Sequence, residues 1–406
     1  MNAELVAVPR TRTPLSGFVV WFMSLAAALG TAAVYPLQPA IADVADSVGS
    51  SLAAVGVALA GGPVGYLIGL ALLVPLADRF PPSRLLAIQF GVLAVASAVC
   101  AGVGRAWQLG LVIAAVGACS AVGAGLSSVA ARLAPPERRA TILGIVTAGI
   151  SAGILAGRMV GGWLADEIGW RGMQLTVAAA CACVALGCLV LLPGARGVTE
   201  RGYLATLRSL SSLVARDATL RGASIRGALW FFAFCAVWSG LAVALAGPPF
   251  SYSAERIGLY ALAGLSGIAA TRIAGAWTDR VGPRRVVLVG LAVAGTAALC
   301  LGGALGSTAV TLVCLALFDA GLFAAQVANQ STVLAIDPAA PARFNSAYMV
   351  TYFVGGSLGT AFGAAAVAWF GWAATAVIAA LAIGLAAILV AVDPRGSTSL
   401  EQRNAA

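Results

Sequence analysis

The chain has 406 residues, 61% of them hydrophobic and only 10% charged, with a mean hydropathy of +0.97 and a formal net charge of +9. Soluble domains carry about 25% charged residues, so a soluble fold is excluded. Nucleic acid is excluded as a partner because the arginines sit in short loops between apolar runs and form no basic stripe.

A bilayer crossing by a helix needs about 20 apolar residues. The first apolar run, from Leu15 to Tyr35, follows Arg10 and Arg12. It is too long for the core of a signal peptide and reads as a retained first span. In chain order, the spans predicted for the first half are 15–36, 53–76, 85–104, 107–131, 141–165 and 171–192. Residues 193–222 then break the apolar pattern with several arginines, and Leu204, Leu207, Leu210, Leu213 and Val214 recur at helical spacing. That spacing predicts a short amphipathic helix in a linker, with an unstructured strap as the alternative. The second half gives 223–247, 256–277, 286–305, 308–334, 345–369 and 371–392. The expected organisation is therefore a tail (1–14), a six-helix bundle (15–192), the linker (193–222), a second six-helix bundle (223–392) and a tail (393–406). This is an all-α membrane protein of 12 transmembrane helices in two pseudo-symmetric bundles.

Loop charges alternate along this scheme. One side gathers Arg79, Arg84, Arg132, Arg138, Arg139, Arg280, Arg284, Arg285 and Arg343, and the other gathers Asp43, Asp46, Asp166, Glu167 and Glu255. Arginine-rich loops stay on the cytoplasmic side of a bacterial inner membrane, which puts both termini in the cytoplasm. Every basic side chain is arginine and histidine is absent. A proton carrier must then be Asp or Glu, less readily Cys or Tyr. The eight cysteines lie scattered in apolar spans with no CxxC pair, so neither a metal site nor a disulfide framework is expected.

One device occurs twice. Residues Gly65 to Arg84 read GYLIGLALLVPLADRFPPSR, and Gly267 to Arg285 read GIAATRIAGAWTDRVGPRR. In each copy a glycine-containing apolar helix stops at an Asp-Arg pair before a turn and a further arginine. Asp78 or Asp279 at a helix end could bridge to an arginine of a neighbouring span by a charge-assisted, breakable contact. Asp78, Arg79, Arg84, Arg138, Arg139, Asp279, Arg280, Arg284 and Arg285 are thus candidate gating residues. Purely topogenic charged loops are the competing account.

On these motifs the chain resembles the major facilitator superfamily. The resemblance covers essentially the whole length and implies two repeated bundles rocking about a central site. The family pattern has glycine where Val74 and Pro81 stand here, whereas the second copy keeps Gly275, Asp279, Arg280 and Gly282. Span five, GISAGILAGRMVGGW, is similar to the glycine-rich signature of the drug:proton antiporter branch, with Arg158 in place of its proline. The segments from Tyr35 to Asp43, Leu245 to Ser253 and Asn329 to Met349 resemble a bacterial subgroup of efflux permeases.

Arg158 and Asp319 lie deepest in their spans. By the helical rise per residue they are roughly 10 Å and 16 Å from the same membrane face. A charge at the bilayer centre costs at least ~2.5–3.5 kcal/mol, so each needs a partner or a wet cavity. Their depths allow a direct or water-bridged pair, with Asp319 as the candidate proton carrier and Arg158 as its switch; a static structural pair is the alternative. Asp319, Gln326 and Gln330 share one helical face, flanked by Asn329. Asn345, Tyr348 and Tyr352 form a similar face, and Tyr66 and Trp238 could offer aromatic walls. These are candidate substrate contacts, as is Arg158; interhelical amide bonding and ordinary packing compete with that reading. Arg272 reads as a gate or snorkelling residue and Arg226 as interfacial.

No GxxxxGK[ST] loop or Ser-His-Asp set can be assembled, so an enzyme is not expected and no cofactor is implied beyond an ion gradient of protons. The expected activity is secondary active transport by alternating access. Proton-coupled efflux of a small organic molecule (drug, sugar or metabolite) by a monomer in the lipid bilayer leads that reading. An uptake symporter or facilitator, or a membrane receptor or scaffold without flux, is the alternative.

Overall fold

The computed structural model describes residues 16–74, 76, 79–135, 138–192, 194, 213–337 and 341–393, and among these there is helix but no strand. The helices are α1 (Gly17–Ala32), the short α2 (Ile41–Ser47), α3 (Leu52–Leu72), α4 (Pro82–Ala101), α5 (Ala106–Leu133), α6 (Arg139–Leu191), α7 (Ala218–Ala246), α8 (Ala254–Val281), α9 (Pro283–Ala304), α10 (Thr308–Leu334) and α11 (Pro341–Ala391). Among the described residues nine helices are long and apolar enough to cross a bilayer, and α1 is shorter at 16 residues.

Two of these helices, α6 and α11, contain a sharp break. At Gly169 φ is 75°, and at Gly371 φ is 81°, a region open to glycine and closed to most side chains. Each break separates two predicted spans. Each glycine is followed by a tryptophan that fixes the turn. The Trp170 indole donates to Ser47 Oγ at 2.9 Å, and the Trp372 indole donates to the Leu301 carbonyl at 2.7 Å. The two halves therefore close their last hairpin in the same way.

The start of α7 falls inside the predicted linker. Asp217 caps it, accepting from Leu220 N at 2.7 Å, and the helix begins at Ala218. Leu204, Leu207 and Leu210 of the predicted amphipathic helix lie outside the described residues. Leu213 and Val214 sit in a helical turn and pack against Leu220, Phe344 and Tyr348.

Glycines at four-residue spacing bring the helices together. In the first half, a Cβ at Gly149, Gly153 or Gly157 would strike Ser24, Ala28 or Ala32 of α1, and one at Gly161 would strike Pro36 just beyond it. In the second half Gly355, Gly359 and Gly363 press in the same manner on Ala228, Phe232 and Ala236 of α7. Apolar lipid gives helices little reason to associate, so close backbone approach through small residues supplies the contact. The repeated stripe is the pseudo-symmetry in atomic form.

The apolar core is divided unequally. One cluster, including Met23, Phe90, Leu126 and Val146, stays within the first half. The other begins in the second half with Trp230, Leu291, Leu315 and Ile383 and continues into Leu37, Ile41, Val44, Val55 and Trp170 of the first. The halves are thus fused at the face that carries Asp43, Asp46, Asp166, Glu167 and Glu255, here called the acidic face.

Candidate functional site

The site begins with the glycine stripe of α6. Gly157 and Gly161 hold the helix backbone against α1, and Arg158 lies between them. Its side chain is only 6% exposed. Nε donates to Gln38 Oε1 at 2.8 Å, and the guanidinium carbon lies 4.6 Å from the Tyr35 ring centre and 4.7 Å from that of Trp238. A cation between two aromatic faces is stabilised by the ring quadrupoles, most strongly where water is excluded.

Trp238 comes from α7, in the other half. Its ring covers Arg158, and its Nε1–H donates to Asp319 Oδ1 of α10 at 3.2 Å. Asp319 is 1% exposed. The expected direct pairing of Arg158 with Asp319 is not found: no ion pair joins them, and one indole touches both. Beyond Nε, the guanidinium has no hydrogen-bond or ion-pair partner among the described residues.

One pocket is lined by this indole, and another by its α7 neighbour Phe234. One, with about 240 Å³ of empty volume, lies between the halves and is lined by Gln38, Pro39, Arg158, Trp238, Ile257 and Gly258 among others. About 10 Å³ of it is open to the centre of a water molecule, room for roughly one water. The other, about 270 Å³, is lined by Trp230, Phe231, Phe234, Phe323, Gln326 and Tyr352. Phe234 lines the second pocket and its ring centre is 6.4 Å from that of Trp238, one helical turn on. The aromatic wall continues through Phe231 stacked on Tyr352 at 3.9 Å, and through Phe353 to Tyr66 at 4.7 Å. Tyr66 belongs to the first half, so this wall also joins the two bundles.

The predicted polar face of α10 divides. Gln326 reaches the second pocket and accepts from the Tyr348 hydroxyl at 2.6 Å. Gln330 donates to Asn345 Oδ1 at 2.7 Å, and Asn329 donates to the Ala223 carbonyl at 3.1 Å. The amides of Asn329, Gln330 and Asn345 are therefore spent on helix-to-helix bonding within the second half. Arg226 is buried within the protein: it pairs with Asp393 at 3.0 Å and donates to Asn329 Oδ1 at 3.4 Å. A guanidinium so deep in the helix stack needs those acceptors.

Among the gating candidates, Asp78 lies outside the described residues. Arg79 is half-buried, while Arg84, Arg138, Arg139, Asp279, Arg280 and Arg285 are exposed, as is Arg272. Asp279 makes no ion pair, and Arg284 instead donates to the Ala391 carbonyl at the end of α11, at 2.6 Å. That contact places a cation on the negative end of a helix.

At the acidic face a contact that sequence reasoning missed links the halves directly. Asp166, on α6, accepts from the backbone N–H groups of Ala254 and Glu255 at 3.1 and 3.0 Å. It caps the start of α8 from the opposite bundle, where free N–H groups await an acceptor. Below it, a Cβ on Gly162 would meet the Ala254 carbonyl, and one on Gly258 would meet the Arg158 carbonyl. Gly56 meets Ala364 of α11 as closely on the other side of the molecule. Gln38 and Tyr35 were also missed as functional groups. They stand in a segment without periodicity, marked in the sequence only by its resemblance to the efflux-permease subgroup.

The profile of the Major Facilitator Superfamily matches residues 20–360. An Escherichia coli O157:H7 protein named uncharacterized transporter YgaY is 31% identical over 93% of this chain and 95% of its own. A probable transporter of Streptomyces coelicolor, SCO4007, is 30% identical over 92% of this chain and 86% of its own. Among solved structures, a bacterial homolog to the human lysosomal transporter Spinster, in an inward-facing and occupied conformation, superposes with a TM-score of 0.78 at 16% identity, covering 95% of this chain and 98% of that one.

Proposed function

We infer the function from the premise that this chain belongs to the major facilitator superfamily: it is a multi-pass membrane transporter, not an enzyme, and we propose that it is a secondary active carrier driven by protons. In this reading the chain crosses the bilayer twelve times with both termini in the cytoplasm, and a small organic molecule is exported by alternating access. The observation that carries the proposal is the Arg158–Trp238–Asp319 triad. Two charges stand in the membrane interior on opposite halves, and a single side chain touches both. Charges at that depth are costly, and a carrier gives them a use.

The triad supports a coupled step. Asp319 accepts from the neutral Trp238 indole and forms no direct ion pair with Arg158, so its carboxylate can serve as the proton carrier in this reading. A proton or substrate that changes the charge on one side of the indole alters what the other side experiences. The seal at the acidic face supports the view that this conformation is the end of the cycle closed to that side. The Asp166 cap and the Gly162 and Gly258 contacts must separate for the opposite state to form.

The test is transport in proteoliposomes against a compound panel, with and without an imposed pH gradient. Asp319→Asn should abolish uphill, proton-driven flux and leave substrate exchange between the two sides. Uphill transport undiminished in that variant would remove Asp319 from the coupling step.

A further inference from the structure

Arg158 has a use that coupling to Asp319 does not exhaust. It is buried, 6% exposed, yet among the described residues neither Nη1 nor Nη2 has a hydrogen-bond or ion-pair partner, and it lines the pocket between the halves. A buried guanidinium normally has its donors engaged, because leaving them unpaired costs desolvation without return. Here Gln38 fixes Nε, and Tyr35 and Trp238 clamp the two faces of the plane. Those contacts hold the guanidinium fork in orientation while leaving its outer edge open. Asp319 accepts from the Trp238 indole N–H and forms no ion pair with the fork.

We propose that the Arg158 fork is a subsite for the carboxylate of an anionic substrate whose apolar body lies along the aromatic wall of Phe234, Phe231 and Tyr352. The proposal rests on the transporter reading above and names its substrate class. A planar carboxylate matches the two outer N–H groups of a guanidinium in a bidentate pair. Trp238 lines the charged pocket and Phe234, one turn earlier on α7, lines the aromatic one, so a short ligand can present its head to one and its body to the other. In the present conformation the charged pocket has room for roughly one water. The anion therefore reaches the fork as the halves separate beneath the Asp166 cap, and in export it leaves to that side. A phosphate monoester is the related chemistry. It is disfavoured because its second charge would find one cation and no further buried donor set.

The experiment uses the purified full-length protein and calorimetric titration with acetate, benzoate and 1-naphthoate, their neutral amides, and 1-naphthyl phosphate. The expected result is that at least one acid binds, tightening with the size of its apolar body, and binds at least ten-fold more tightly than its amide. In Arg158→Gln that preference disappears, and in Arg158→Lys, which keeps the charge and loses the fork, it is reduced. The comparison of acid with amide needs only the natural protein, so a variant that folds poorly does not decide the outcome. Equal binding of acids and amides, no acid that binds in an Arg158-dependent manner, or tighter binding of the phosphate would overturn the assignment. Absence of an acid preference in the natural protein while proteoliposomes still exchange some compound overturns the subsite and leaves the transporter reading standing. Acid binding without any flux does the reverse.

Discussion

Trp238 carries two interactions at once. Its ring face takes the guanidinium of Arg158 and its Nε1–H takes the carboxylate of Asp319. Phenylalanine would keep much of the first and lose the second. Trp238→Phe is therefore expected to lower proton-driven flux at least ten-fold while leaving the thermal midpoint of the purified protein within a few degrees, measured by transport and by thermal unfolding; unchanged flux would show that the carboxylate works without the indole. The two charged members of this triad were legible in the sequence, because a lone charge within an apolar run is expensive and stands out. Their indirect connection was not. Residues 158, 238 and 319 are far apart in the chain, and spacing along separate helices gives depth but not the side chain that lies between them. The same limit explains the amides. Asn329, Gln330 and Asn345 looked identical to cavity-lining groups in sequence, and only packing shows that they bond to each other, to Ala223 and to Arg226.

At the scale of the helix, small residues decide what can touch. The four-residue glycine stripes of α6 and α11 were visible as composition, and the spans they belong to were visible as hydropathy. The break at Gly169 fell between predicted spans and that at Gly371 on the first residue of one, because a tight turn needs so little sequence to mark it. Less visible was that Gly162 and Gly258 serve contacts between the bundles rather than within them. A Cβ at Gly258 would run into the Arg158 carbonyl. Gly258→Val should therefore hold the acidic face apart. With the eight native cysteines replaced, Ala242→Cys, which lines the pocket below, is expected to react at least five-fold faster with a membrane-impermeant maleimide when Gly258→Val is added, and transport should fall with it. Equal labelling rates in the two backgrounds would mean that the helices tolerate the side chain in the closed state.

For the whole molecule, the balance between closed and open acidic faces depends on a few contacts. The Asp166 cap is one, and helix caps contribute roughly 0.5–2 kcal/mol. Asp166→Ala is then expected to shift that equilibrium roughly 2- to 30-fold toward the open side, read by the same labelling rate. Acidity acts in the same region. Partial burial lifts the Asp43 carboxyl above its ordinary value of 3.8, and the neighbouring Asp166 and Asp46 charges lift it further. The folded protein thus holds this proton more tightly than the unfolded chain does. The group's contribution to stability is most favourable in acid and declines as pH climbs from about 3.8 through the raised value. Asp43 is itself exposed, so the effect is small. Asp43→Asn should flatten this part of the dependence of the thermal midpoint on pH, and an unaltered slope would assign it to other carboxyls.

The apolar cluster that begins around Trp230 and Leu315 and reaches Ile41, Val55 and Trp170 crosses from one bundle to the other without regard to chain continuity. Cohesion of this kind does not need a covalent tether. Two separately produced fragments, divided after the sixth predicted span, should find each other in the bilayer and co-purify through a tag on either one. The peptide that connects them then serves to keep their synthesis in equal measure, while the assembled carrier is held together by surfaces that were never adjacent in the gene.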